Sequence, residues 1–222
     1  HLKSFKGGYD NNFSYLVWDD ETKEAGIIDA ALDPLIILDF AKDHNLNVKF
    51  AVVMHSHFDH VVGLKKYNDL GIKVAASNRM DSAKKVDLVL KEDDELMLGG
   101  HSLKVIETPG HIEDCICLIV DNWLFTTDCL FIDGCGRCDL AGGNVEKMYR
   151  SLQIIKQLPN EIVIYPGHDY GDVEFDKVNP YKIIRSGDGG YLTEIKNLFL
   201  VNKLYKNDNF DMQEPFDGLF TQ

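Results

Sequence analysis

The chain has 222 residues, 45% hydrophobic and 27% charged, an ordinary balance for a globular protein with a sizeable core. Its formal charge of −13 disfavours a nonspecific grip on nucleic acid, which needs clustered Lys and Arg, but leaves small anionic substrates open because a buried metal can reverse the field locally. No run approaches the roughly 18 apolar residues that span a bilayer and no charged-then-apolar signal segment opens the chain, so neither nucleic acid nor membrane is an expected partner.

In chain order, residues 13–18 and 25–29 read as paired strands joined by a polar turn at 19–23. Residues 33–43 carry helix-spaced apolar positions, and 48–54 form a near-continuous apolar strand. A histidine-rich cluster follows that strand directly, and 59–70 reads as a helix ended by Gly71. Shorter strands recur near 72–76, 86–90, 102–107, 115–120 and 123–126. A helix at about 144–157 leads to a buried strand at 161–165, and a helical pattern runs from Tyr191 to about Tyr205 before a polar end. Strand runs interleaved with helices predict an α/β protein, an αββα sandwich of two mixed sheets flanked by helices. The expected organisation is one domain over 1–222, with a short helical tail at about 190–222.

The five cysteines, Cys115, Cys117, Cys129, Cys135 and Cys138, are odd in number and crowded into one stretch, unlike an extracellular disulfide framework. They are expected to be reduced, and the protein cytoplasmic. The CxxC spacing of Cys135 and Cys138 lacks the strand-to-helix context of a redox motif.

The chemistry-bearing residues stand just after predicted strands. His55, His57, Asp59 and His60 follow the 48–54 strand, His111 follows 102–107, Asp128 follows 123–126 and His168 follows 161–165. Strand ends on one edge of a sandwich can converge, bringing ligands distant in sequence together. In an extended segment residues 55 and 57 project to the same side and can share one metal, while Asp59 and His60 fall at the start of the next helix. Neutral imidazoles with carboxylates suit Zn(II), Fe(II) or Mn(II), and no cysteine occupies these positions. A single histidine here would read as a helix-start residue satisfied by water; four possible ligands in six residues argue for metal. His44 and His101, in polar turn-like surroundings, are expected at the surface.

The string His55-Ser-His-Phe-Asp-His60 resembles the HxHxDH signature of the metallo-β-lactamase superfamily, and Thr108-Pro-Gly-His111, Asp128 and Pro166-Gly-His168 follow in that family's order. The resemblance runs from about Asp10 to Pro180 and implies the family's fold. By position it implies His55, His57 and His111 around one metal, Asp59, His60 and His168 around a second, and Asp128 bridging them. Two divalent ions are therefore expected, zinc first, with iron or manganese as alternatives. One departure is local: the bridging Asp usually follows Thr-Gly, whereas here it follows Thr126-Thr127, which puts the backbone at the bridge in question.

Within the superfamily, two-zinc β-lactamases typically place Cys or Ser where His60 and Asp128 stand. The segment Asp128-Cys-Leu-Phe-Ile-Asp-Gly-Cys135-Gly-Arg137 is similar to one shared by glyoxalase II and the persulfide dioxygenases. Arg137-Cys-Asp-Leu140, Tyr165-Pro-Gly-His-Asp-Tyr170 and Cys115 resemble the dioxygenases, and Asp10-Asn-Asn-Phe-Ser-Tyr-Leu16 resembles the opening of glyoxalase II.

The glyoxalase II resemblance implies hydrolysis of a small thioester of glutathione type, or a related ester, by a metal-bound hydroxide. Asp59 and Asp128 would be the catalytic carboxylates. The alternative is persulfide dioxygenation at a single Fe(II) held by His55, His111 and Asp128, and a third reading is a non-catalytic metal-binding scaffold. The expected partner is a small thiol-derived molecule contacted by Arg137, Cys135 and Tyr170, with Arg137 placed to grip a carboxylate or to remain a solvated loop residue. A homo-oligomer is left open.

Overall fold

The structure, a computed structural model, describes residues 1–81, 85–132 and 134–170. Two sheets form its centre. The first runs in the order β1 (Leu2–Gly7), β2 (Asn12–Trp18), β3 (Glu24–Ile28), β4 (Asn47–Val53), β5 (Lys73–Ser77) and β6 (Leu88–Leu90). Its first two pairings are antiparallel and its last three parallel. The second runs β11 (Val163–Pro166), β10 (Trp123–Thr127), β9 (Ile116–Val120), β8 (His101–Glu107) and β7 (Glu95–Leu98), with only the β10–β11 pair parallel.

Side chains alternate across each strand, so a strand buried on both faces reads as a continuous apolar run. In β4, Phe50 and Val52 face the second sheet with Tyr15, Ile28, Leu118 and Phe125. Ala51 and Val53 face outward, onto Ile37 and Ala41 of helix α1 (Pro34–Asp43) and Leu64 and Tyr67 of helix α3 (Leu64–Asp69). Helix α4 (Val145–Lys156) covers the outer face of the second sheet, seating Met148, Leu152 and Ile155 on Leu124 and Ile164. The four layers are the expected αββα sandwich.

The helix ends follow ordinary capping chemistry. Asp33 accepts from the Leu35 N–H at 2.9 Å with Pro34 opening α1, and Asn144 accepts from the Lys147 N–H at 2.9 Å to start α4.

Three differences from the sequence reading stand out. Strands β1 and β7 were not expected; both lie at sheet edges. β1 is half-buried along its length with no strict apolar alternation, and in the four-residue β7 the exposed Met97 masks the alternating burial of Leu96 and Leu98. The expected helix over 59–70 is two short ones, α2 (Phe58–Val61) and α3, parted at Gly63. A Cβ at Gly63 would lie 2.7 Å from the Ala30 carbonyl oxygen and 2.8 Å from that of Leu32, so the chain must pass close to another backbone there. The expected tail helix at 191–205 lies outside the described residues.

All five cysteines are buried and none is in a disulfide. His44 and His101 are exposed, as expected, His44 stacked on Phe40 and His101 3.0 Å from Asp121. Among the described residues no helix is long and apolar enough to cross a membrane.

The functional edge is the one where the C-terminal ends of β3, β4, β10 and β11 meet. Backbone hydrogen bonds join the two sheets there, from Phe13 N–H to the Gly167 carbonyl at 2.8 Å and from Ile116 N–H to the Met54 carbonyl at 3.0 Å.

Candidate metal centre

All seven histidines and aspartates singled out from the sequence meet at this edge. Three groups have ligand atoms within 4.8 Å of one another: His55, His57 and His111; His55, His60 and Asp128; and Asp59, His60 and His168. They open into a pocket of about 790 Å³ whose lining includes Phe131, Cys135, Arg137 and Tyr170.

Local structure explains how each side chain arrives. β4 ends at Val53, and the chain then delivers His55 and His57 before α2 turns Asp59 and His60 inward. Asp128 follows an irregularity in the β10–β11 register between Phe125 and Thr127, and Thr127 itself has φ +42°. Glycine usually supplies such a bend; a β-branched residue there costs on the order of 1–3 kcal/mol. Here the threonine hydroxyl makes two bonds in return. It donates to Asp29 Oδ2 at 2.9 Å and lies 3.2 Å from His55 Nδ1. The Thr127 backbone is thus unusual, as its sequence context suggested, yet Asp128 still reaches the cluster.

Space around Asp128 is tight as well. A Cβ at Gly167 would lie 2.6 Å from Asp128 Oδ1, and one at Gly136 would lie 2.8 Å from His111 Cγ and strike the Asp128 carbonyl.

Hydrogen bonds fix the ring tautomers. Because the Thr127 hydroxyl gives its proton to Asp29, it can only accept from His55, so His55 carries its hydrogen on Nδ1. His111 Nδ1–H donates to the Arg137 carbonyl and His168 Nδ1–H to the Asp10 carbonyl, each at 2.7 Å. His60 Nδ1–H donates to Asp29, 2.8 and 2.9 Å from its two oxygens. Every one of these rings therefore turns Nε2 toward the cluster, the arrangement by which outer partners orient metal-binding histidines.

The electrostatics divide the cluster. Burial, with His60 and His111 beside it, drives the His55 pKa well below its ordinary value, and burial also lowers that of His57. Burial opposes charge on His60, but the Asp29 carboxylate and its hydrogen bond outweigh it and raise the pKa well above normal. His168 is raised too, burial being overcome by Asp128. Burial works against ionisation of Asp59 and Asp128 as well; the His60 bond to Asp59 and the His168 and His60 interactions with Asp128 hold both below the usual carboxylate range.

The residues fit a cation on structural grounds. His55 Nε2, His111 Nε2 and Asp128 Oδ1 are buried without a hydrogen-bond partner, an expensive state for polar atoms unless something else meets them. His60 Nε2 and His168 Nε2 lie 3.0 Å apart, a contact that requires a proton or a cation between two lone pairs. Asp128 divides its oxygens: Oδ2 is 3.3 Å from His111 Nε2 and 3.9 Å from His55 Nε2, whereas Oδ1 is 3.3 Å from His168 Nε2 and 3.4 Å from His60 Nε2.

The residues expected to meet substrate are placed less uniformly. Cys135 is buried in the pocket wall, where burial raises its thiol pKa to about 11 and disfavours a thiolate. Tyr170 stacks on His168 with ring centroids 4.6 Å apart and donates its hydroxyl to Asp10 at 2.6 Å. Arg137 lines the pocket, but its guanidinium fork is engaged by Asp139 through two 2.6 Å bonds.

Sequence reasoning missed the supporting residues. Asp29 joins His60 to Thr127, and Asn12 donates to Asp59 at 2.9 Å while lying 3.3 Å from His60 Nε2. Asp29 ends a strand just as the other site residues do, so the same strand-end criterion could have found it.

Residues 67–168 match the family model described as the metallo-beta-lactamase superfamily. The chain is 30% identical to the probable polyketide biosynthesis zinc-dependent hydrolase BaeB of Bacillus velezensis, over 73% of this chain and 75% of that protein. It is 34% identical to the mitochondrial persulfide dioxygenase ETHE1 of Homo sapiens, over 71% and 64%, and 33% identical to the hydroxyacylglutathione hydrolase of Francisella tularensis subsp. novicida, over 74% and 66%. The match thus spans just under two thirds of these last two proteins. Among solved structures it is similar to ETHE1 from Myxococcus xanthus, with a TM-score of 0.72 and 28% identity over 78% of this chain and 77% of that one.

Proposed function

Since the chain belongs to the metallo-beta-lactamase superfamily of metal-dependent enzymes, we propose that it is a glyoxalase-II-like hydrolase, cleaving a glutathione-type thioester or a related small ester at a two-ion centre. The observation that carries this reading is the divided carboxylate of Asp128, one oxygen toward His55 and His111 and the other toward His60 and His168. That is the disposition of a carboxylate shared between two ions. His55, His57 and His111 would hold one ion, and Asp59, His60 and His168 the other.

Two divalent ions bound there, zinc being the first expectation, would supply Lewis acidity and a water acidic enough to act as nucleophile near neutral pH. The chain's own residues do the positioning. Asp128 holds the two halves in register, and Asp59, kept ionised by His60 and Asn12, is available to orient a nucleophilic water. Arg137 would meet an anionic portion of the substrate once exchanged from Asp139, with Cys135 and Tyr170 forming the adjacent wall.

A second reading, persulfide dioxygenation at one Fe(II), is favoured by a different observation. Asp59 Oδ2 and His60 Nε2 already have internal partners in Asn12 and His168, whereas His55 Nε2 and His111 Nε2 have none. Metal analysis of protein purified without added metal separates the two readings: about two zinc ions per chain is expected for the hydrolase. A single iron, with oxygen uptake on glutathione persulfide and no loss of S-lactoylglutathione, would overturn it.

A further inference from the structure

We propose that a groove beside the metal pocket receives an apolar acyl chain of the substrate, so that this enzyme acts on acyl thioesters longer than a hydroxyacyl unit. The inference rests on the hydrolytic reading above. The groove has a volume of about 1200 Å³ and shares Tyr9, Phe58 and Asp59 with the metal pocket, so the two are continuous. Ordinary small-molecule sites measure roughly 300–1,000 Å³. The metal pocket alone falls in that range, and the groove adds a second compartment leading away from the ions.

The lining identifies the occupant. Phe58 stands between His57 and Asp59 and is 65% exposed; Tyr9, 81% exposed, meets its ring edge-on at 5.1 Å. Val62, four residues after Phe58 and 65% exposed, continues the same side, and Ile36 on α1, 59% exposed, extends it. Four large apolar side chains left in water along one groove mark a surface that binds something apolar. Of the groove's charged residues, Lys6 is already matched with Asp169 at 2.5 Å and Asp33 with Lys66 at 2.7 Å, while Lys3 lies 6.0 Å over the Phe40 ring. An unbranched hydrocarbon chain meets such walls without breaking those pairs. Its thioester carbonyl, entering past Phe58, would lie at the Asp59 end beside the ions.

The test uses the metal-loaded full chain with acetyl, butyryl, hexanoyl and octanoyl thioesters of one thiol. Each methylene sheltered from water is worth up to about fourfold in binding, so kcat/KM should rise steeply along the series. In Ile36→Ser with Val62→Ser the slope should flatten, while the acetyl compound is turned over as by the wild type. The companion measurement is calorimetric binding of the S-octyl and S-methyl thioethers of the same thiol, which cannot be hydrolysed. Tighter S-octyl binding in the wild type, weakened in the double variant, supports the groove even if no thioester is turned over; in that case it is the hydrolytic reading that falls. Equal binding of the two thioethers, or a chain-length slope unchanged by the double substitution, overturns the proposal.

Discussion

The two halves of the histidine cluster are supported by different chemistry. His55 and His111 are oriented by a hydroxyl and a carbonyl, Thr127 and the backbone of Arg137, and burial, with the neighbouring histidines, disfavours protonation of His55. His60 is oriented by a buried carboxylate, Asp29, and its pKa rises accordingly. A carboxylate behind an imidazole makes it a more basic ligand, but without metal that ligand retains a proton. In the two-ion reading His55 and His57 would meet their ion as neutral donors, whereas His60 and His168 would exchange protons for theirs. Thr127 ties them together, since its hydroxyl lies between His55 and the Asp29 that holds His60.

The widest break in this comparison is His55→Ala, which removes a donor of the first half. Activity should fall at least about a thousandfold, because neither the hydrolytic nor the oxidative reading works without it. Retained turnover in a steady-state assay would refute the site. Next comes Asp59→Asn with His60→Ala, which empties the second half alone. Metal content should drop from about two ions to one, with hydrolysis reduced about a hundredfold or more. Undiminished hydrolysis with one ion left would show that the first half suffices.

Thr127→Val asks whether the link matters, since it keeps the β-branch but removes the hydroxyl. Chelator competition should report metal affinity weakened about 10- to 100-fold. Thr127→Gly, which relieves the positive φ while losing the same bonds, should keep more thermal stability than Thr127→Val. Equal affinities in wild type and Thr127→Val would reduce the threonine to a backbone feature. The smallest effect is expected from Arg137→Ala. With its fork engaged by Asp139, KM should rise only about three- to tenfold at constant metal content. Unchanged kinetics would leave Arg137 as the partner of Asp139 alone.

Much of this was legible in the residue order. The β4 run showed because it is buried on both faces, and HxHxDH showed because metal chemistry packs several donors into a few positions. Edge strands β1 and β7 did not show, because β1 has no strict apolar alternation and in the short β7 the exposed, apolar Met97 masks it. Nor did the break at Gly63, which depends on the carbonyls of Ala30 and Leu32 passing close by.

By itself the sequence determined which residues can bind metal and which strands carry them, because ligand chemistry and burial are written into residue type and spacing. Only the tertiary structure decided how those donors are divided. The opposed oxygens of Asp128, the carboxylate behind His60 and the groove beyond Phe58 all join positions far apart in the chain. Such contacts depend on direction and distance in space, which linear spacing does not encode.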